Sequence, residues 1–275
     1  MSDAVANDLT PAARPARAAS SSRAALRGAT RLALAVGGLA LFLGLWEAAC
    51  RFRLVNAMVL PAPSAIPAAF MEELRSGAWL AAALASLEHY ATGLALGVAL
   101  GVALGVAAGM SARFEAATSG VVRLLRPIPG LAWVPFAIIW FGATASAAVF
   151  IIAVGVFWIV FFATQGAIRG VDRDLIEVAD AFGFRSARER LFKILLPAAS
   201  PGILVGVRTA LGQAWMSVVA AELFGVHGVG QRMMQASSLL ATETVVVYML
   251  TMATLYGLID AIFIAIQRHA LAWRA

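Results

Sequence analysis

The sequence predicts an all-α membrane protein with six transmembrane helices. Of its 275 residues 61% are hydrophobic and only 13% are charged, with a mean hydropathy of +0.86. Soluble domains carry about 25% charged residues, so a surface this poor in charge would not stay in solution. Apolar runs long enough to cross a bilayer recur along the chain, about 20 residues being needed for each crossing. The basic residues sit beside those runs. That pattern sets orientation in a membrane, so the net charge of +6 is read that way and not as nucleic-acid binding.

Residues 1–30 are rich in Ala, Arg, Ser and Pro and are expected to form a disordered cytoplasmic tail. A cleaved leader is disfavoured, because the charged region is long and Glu47 interrupts any processing site before Cys50. The first span is expected within 31–50. Residues 51–79 follow as an outer loop holding a turn and a short amphipathic helix, with Ser64 as its cap and Pro67 in its first turn. The remaining spans fall within 80–268. The second covers 83–110. From Pro127 to Ile168 there is no Asp, Glu, Lys or Arg, too long a run for one helix and suited to two joined at Phe141-Gly142-Ala143-Thr144. The fifth runs over about 200–223 and the sixth over about 244–267. Trp46, Trp79 and Trp140 fall near outer ends, as in an interfacial aromatic belt.

Arginine placement orients the chain. Arg14, Arg17, Arg23, Arg27 and Arg31 precede the first span. Arg113 follows the second, and Arg169, Arg173, Arg185, Arg188, Arg190 and Lys193 follow the fourth. The opposite segments hold Arg51, Arg53, Arg75 and Arg232. The positive-inside rule then puts both termini in the cytoplasm.

Within the spans, Gly93, Gly97, Gly101, Gly105 and Gly109 recur every fourth residue and let another helix approach closely. Tight packing inside one subunit is the favoured reading, with a sliding or dimer interface as the alternative. Arg126-Pro127-Ile128-Pro129-Gly130 would break a helix as it enters the bilayer. Irregular backbone at that depth is tolerated only against protein or a water-filled cavity, which makes 126–135 a candidate pathway segment. Glu47, Glu88, Arg123, Arg126, Arg208, Glu222 and Asp260 are ionisable residues within spans and so candidate functional positions. Arg126, Pro127, Pro129, Trp133 and Glu222 are assigned to the pathway as a hypothesis. Arg208 and Asp260 fall at similar depth and are expected to pair as structural glue. Arg123 and Arg126, three apart, share a face if their helix persists, and either attract an anion, reach the interface, or pair internally with Glu222. Cys50 is the single cysteine, and His89, His227 and His269 are isolated, so no disulfide and no metal ligand set is expected.

The loop 170–197 is the most informative segment. Asp174-Leu-Ile-Glu177 has the form of a capping box. Leu175, Val178, Ala179 and Phe182 then make an apolar stripe, and Gly183 suits a left-handed stop. Ser186-Ala-Arg-Glu189 is a second capping box, opening a helix expected to end before Pro197. A helix of about nine residues is marginal alone in water and needs a surface to dock on.

Glu177-Val-Ala179-Asp-Ala-Phe-Gly183, followed by Ile194-Leu-Leu196-Pro197, resembles the EAA signature of bacterial ATP-binding cassette (ABC) importer permeases. Val178 stands where the signature has its first alanine, and the Gly183–Pro197 stretch is one residue longer than the usual pattern. Leu60-Pro-Ala-Pro-Ser64, 126–135, Ile139-Trp-Phe-Gly142, Leu196-Pro-Ala-Ala-Ser-Pro201 and Ala220-Ala-Glu222 resemble the nitrate/sulfonate/taurine group of that family. The resemblance implies a type I importer permease fold in a bacterial inner membrane. It implies a homodimer of permease subunits, two ABC ATPase subunits that bind the ATP, a periplasmic solute-binding protein, and no cofactor in this chain. It implies a coupling role for Glu177, Val178, Ala179, Phe182 and Gly183, and a small anion as solute: sulfonate or taurine first, nitrate or bicarbonate next. The chain has no Gly-x-x-x-x-Gly-Lys-Ser/Thr phosphate loop, so no ATP hydrolysis of its own is expected, nor other catalysis. The competing reading is a secondary transporter or channel driven by an ion gradient, for which inverted repeats would speak.

Overall fold

A computed structural model describes residues 16–56, 58–184 and 186–271. All regular structure among them is helical. By contacts the chain divides into two units after Ser64.

The first unit is dominated by α1 (Ala16–Arg51). Residues 1–15 of the expected tail lie outside the described residues. From Ala16 the chain is helical, since Ala and Arg are strong helix formers and no proline interrupts them. Ala33–Arg51 is long and apolar enough to cross a membrane, with Leu34, Leu41 and Leu45 exposed as a lipid-facing helix requires. Its last turn carries Glu47, which accepts from Arg51 Nε at 2.8 Å, from Ser64 Oγ at 2.9 Å and from Ser64 N–H at 3.1 Å. Ser64 therefore ties off the loop and does not cap the next helix, as the sequence suggested.

That next helix, α2 (Ile66–Arg75), opens the second unit with Pro67 in its first turn and Ala65 at the N-cap. Then follow α3 (Ala78–Met110), α4 (Ala112–Leu125), α5 (Val134–Phe141), α6 (Ala145–Arg169), α7 (Arg173–Ala181), α8 (Ala187–Arg190), α9 (Leu196–Leu223), α10 (Val229–Ser238) and α11 (Thr242–Ala270). With α1, the helices α3, α6, α8–α9 and α11 make five candidate spans. The third span differs from expectation. Residues 127–141 contain only the eight-residue α5, far too short to cross. Instead α4 and α5, bent by 82° at the proline-rich break, are long and apolar enough only as a pair, the pattern of a broken span or of a re-entrant loop.

The centre of this unit is the contact of α3 with α6. A Cβ added at Gly93, Gly97, Gly101, Gly105 or Gly109 would lie 2.6–2.8 Å from side-chain or backbone atoms of α6. The facing side chains are Ile152, Val156, Val160, Thr164 and Ile168, also every fourth residue. Two rows of equal period interlock, one without side chains and one β-branched throughout. The glycine face is thus spent inside the chain. On its other flank α6 packs on α9, where Gly202 and Gly206 meet Ala167 and Ala163.

Helix α8 runs through a π turn (Leu191–Leu195) into α9 without ending. The stop expected before Pro197 does not occur. A π turn carries one more residue than an α turn and frees the carbonyl that the Pro197 ring would strike.

Candidate functional site

Helix α7 is built much as its sequence demands. Its N-terminus is capped by Asp172, whose carboxylate accepts from Asp174 N–H at 3.1 Å. The cap is thus two residues ahead of the one expected, and Asp174 sits in the first turn, where a negative charge suits the helix dipole. The C-terminus closes with Gly183 at φ +87°, a conformation side chains resist. Phe184 N–H reaches the Ala179 carbonyl at 3.0 Å and Gly183 N–H the Asp180 carbonyl at 3.1 Å, completing a Schellman motif. Arg190 of α8 pairs with Asp180 and donates to the Phe184 carbonyl, while Lys193 lies 4.6 Å from the Phe184 ring centroid. Both contacts fix α7 against the start of α9.

The apolar stripe divides. Ala179 faces inward and is buried. Leu175, Val178 and Phe182 point away, at 50%, 53% and 78% exposure, and Glu177 is exposed among them. Leu175, Val178 and Phe182, with Phe184, Ile194 and Pro197, line an open cavity of about 500 Å³. Among the described residues nothing covers this row, which leaves it an exposed apolar surface.

The break between α4 and α5 is built by its prolines. Helix α4 ends at Leu125, Pro129 is extended at ψ 146°, and Gly130–Trp133 forms a 3-10 turn into α5. A Cβ on Gly130 would lie 3.2 Å from Gly155 Cα, so the elbow rests directly on α6. Arg126 lies over the Phe162 ring at 4.4 Å, a cation–π contact. Trp133 packs on Phe136 and Phe150, and its buried indole N–H has no acceptor among the described residues.

Glu222 is not beside Arg126. It is 1% exposed, near the end of α9. It accepts from Ser86 Oγ at 2.7 Å and from Gly230 N–H at 2.9 Å, with His89 Nδ1 at 3.2 Å. Ser86 Oγ in turn accepts from Val229 N–H at 2.9 Å. Both N–H groups belong to the first turn of α10, whose N-cap position is Gly228 and supplies no side chain. A carboxylate from another helix does the capping. Gly228 has φ +155°, and a Cβ there would fall 2.2 Å from the Glu222 carboxyl. The sequence reading missed Ser86 and His89. The signal that could have found them is a helix start with glycine where Ser, Thr, Asp or Asn belongs, which demands an acceptor from elsewhere.

A second cluster, also unforeseen, joins α2, α10 and α11. Arg232 Nη2 donates to both oxygens of Glu73, at 3.0 and 2.8 Å, and Tyr248 Oη donates to Glu73 as well. Burial disfavours charge on Glu73, but the hydrogen bonds from Tyr248 and Arg232 outweigh it and hold the carboxyl below its ordinary value. Arg208 and Asp260 form a two-point pair: Nε to Oδ1 at 3.2 Å and Nη2 to Oδ2 at 3.3 Å.

These features define a multi-pass helical membrane protein with a short exposed apolar helix and a bent, proline-broken helix pair. Comparison with known proteins names the class. Residues 97–272 match the family described as binding-protein-dependent transport system inner membrane component. A putative aliphatic sulfonates transport permease of Bacillus subtilis strain 168 is 36% identical over 236 residues, covering 86% of this chain and 85% of the relative. The protein of the same description from Escherichia coli K12 is 35% identical over 230 residues, covering 83% and 87%. The fold matches a chain of the MetNI methionine ABC transporter, with a TM-score of 0.59 at 23% identity over 68% of this chain and 93% of that one. The chain belongs to the binding-protein-dependent inner membrane component family and is an ABC importer permease.

Proposed function

We propose that this permease, as a homodimer, forms the passage for a small organic sulfonate, taurine-like in size and charge, delivered by a periplasmic solute-binding protein. The motion comes from two ATPase subunits that bind the ATP; this chain holds no cofactor and performs no catalysis. Both termini and α7 lie in the cytoplasm, in keeping with the arginines clustered at that end. The observation that carries the reading is the uncovered row Leu175, Val178 and Phe182 on a helix fixed at both ends, since a short helix so placed passes force only to something seated on it. The relatives' descriptions point to sulfonates. Arg126, Pro127, Pro129 and Trp133 belong to the passage on this reading. Glu222 serves it indirectly, by holding α10 in place. Asp260 and Glu222 are both engaged by partners, which speaks against a carboxylate relay driven by an ion gradient.

The test is uptake of radiolabelled taurine by cells or proteoliposomes carrying the complete transporter. Phe182→Ala should lower uptake by about tenfold, the loss of one well-buried aromatic at an interface, while the amount of permease in the membrane is unchanged. Unchanged uptake by this variant, or accumulation without the ATPase, overturns the coupling role. Absence of sulfonate uptake by the wild-type complex overturns the substrate class.

A further inference from the structure

The Arg208–Asp260 pair is placed where an ordinary structural ion pair would not be. At about 1.5 Å per residue, Arg208 lies roughly 18 Å from the start of α9 and Asp260 roughly 15 Å from the end of α11, both deep within the bilayer. Yet the Arg208 side chain is 46% exposed and that of Asp260 29%. Charges at this depth face a bundle interior or water, and not hydrocarbon. The face that carries them therefore turns to a bundle interior or to water. Val205, Thr209 and Met216 are exposed on that same face of α9, and Gly212 lies among them, partly exposed. Tyr256, one turn before Asp260, covers Gly212, its hydroxyl 3.2 Å from where a Cβ would be.

The pair is also loosely made. Its contacts of 3.2 and 3.3 Å are long for a guanidinium on a carboxylate, normally about 2.7–2.9 Å. Among the described residues Nη1 of Arg208 has no hydrogen-bond partner, so one edge of a planar donor fork is held by Asp260 and another is free. A guanidinium presents paired N–H donors that match carboxylate, sulfonate and phosphate oxygens alike.

We propose that Arg208 is an anion-contact residue at mid-depth on the translocation route, meeting the sulfonate group of the solute with its free Nη1 edge while Asp260 holds the opposite edge in place. Asp260 also keeps the site weak: it offsets the arginine's charge, so the anion is met and released. Arg208 is thus a specificity residue, selecting anionic over cationic solutes. This rests on the permease reading above and adds a named residue to it.

The test uses charged thiol reagents on the complete transporter in proteoliposomes. Cys50 is the only cysteine, so Cys50→Ser gives a clean background for Thr209→Cys, one residue from Arg208 on the exposed face. Two probes are compared, the anionic 2-sulfonatoethyl and the cationic 2-(trimethylammonium)ethyl methanethiosulfonates, each rate normalised to that with a free thiol in water. Both should react, with the sulfonate favoured by about tenfold through proximity to the guanidinium. Arg208→Gln with Asp260→Asn, which removes both charges together, should bring the ratio near unity. No reaction with either probe places the face in lipid and overturns the proposal. So does an equal ratio with the pair intact, which needs no further variant to interpret, or a preference that survives removal of the pair. Taurine uptake separates this from the substrate assignment. Wild-type uptake that the doubly neutral variant matches, in equal amounts of assembled complex, refutes Arg208 alone. A sulfonate-reagent preference without taurine uptake by the wild type refutes the solute and leaves Arg208 as an anion contact.

Discussion

Glu222 shows how much one side chain can hold. Its carboxylate is the acceptor for groups on two other helices, and each would be left buried and unpaired without it. Glu222→Ala should therefore destabilise the permease by about 3 kcal/mol, the usual scale for breaking a buried charged network. Thermal unfolding of detergent-purified protein measures this, and an unchanged midpoint would refute the capping role. Glu222→Gln, which keeps one carbonyl acceptor, should lose less. Glu73 makes a different prediction, in pH. Its folded value lies below the ordinary 4.5, so its ties to Arg232 and Tyr248 contribute in full above about pH 4.5 and are lost as acid titrates the folded carboxyl. Acid unfolding followed by tryptophan fluorescence should show a shallower fall for Glu73→Gln than for the wild type.

At the scale of elements, the α3–α6 ladder leaves no room. Gly101→Ala puts a methyl group 2.8 Å from Val160 Cβ and should cost about 1–3 kcal/mol through overpacking. Val160→Gly placed with it should recover part of the loss, since the small residue then sits on the other helix. Unfolding of the three variants in one detergent checks this, and absence of any coupling between the two positions would argue that the helices simply move apart. The ladder was half legible in the sequence. The period of four in Gly93–Gly109 announced a close neighbour, but the matching row on α6 is hidden in a uniformly apolar run, where β-branched residues look like any lipid-facing choice. In the same way, the prolines announced the break after Arg126, yet not that α5 would be so short and bent against α4.

At the scale of the whole molecule, local chemistry was the readable part. The Schellman closure at Gly183 and the second capping box at Ser186 follow from a few adjacent residues. What could not be read were ties between residues far apart in the chain, Ser86 and His89 to Glu222, or Glu73 to Arg232 and Tyr248. Nothing in a linear pattern brings these together; only the packing of α2, α3, α9, α10 and α11 does. The exposed row on α7 was read correctly as apolar but not as divided, since Ala179 turns inward and leaves three larger side chains outward. A variant with Val178→Asp should fold and insert as the wild type does, and should fail to retain an ATPase subunit during co-purification.

Because α3 and α6 mesh through bare backbone on one side and stiff branched residues on the other, they form a single plank without play. No gate can work by shearing one along the other. On the passage role proposed above, opening swings about the proline elbow beside Gly155 or carries the plank bodily, so a crosslink clamping that elbow should freeze traffic while one spanning the plank goes unnoticed.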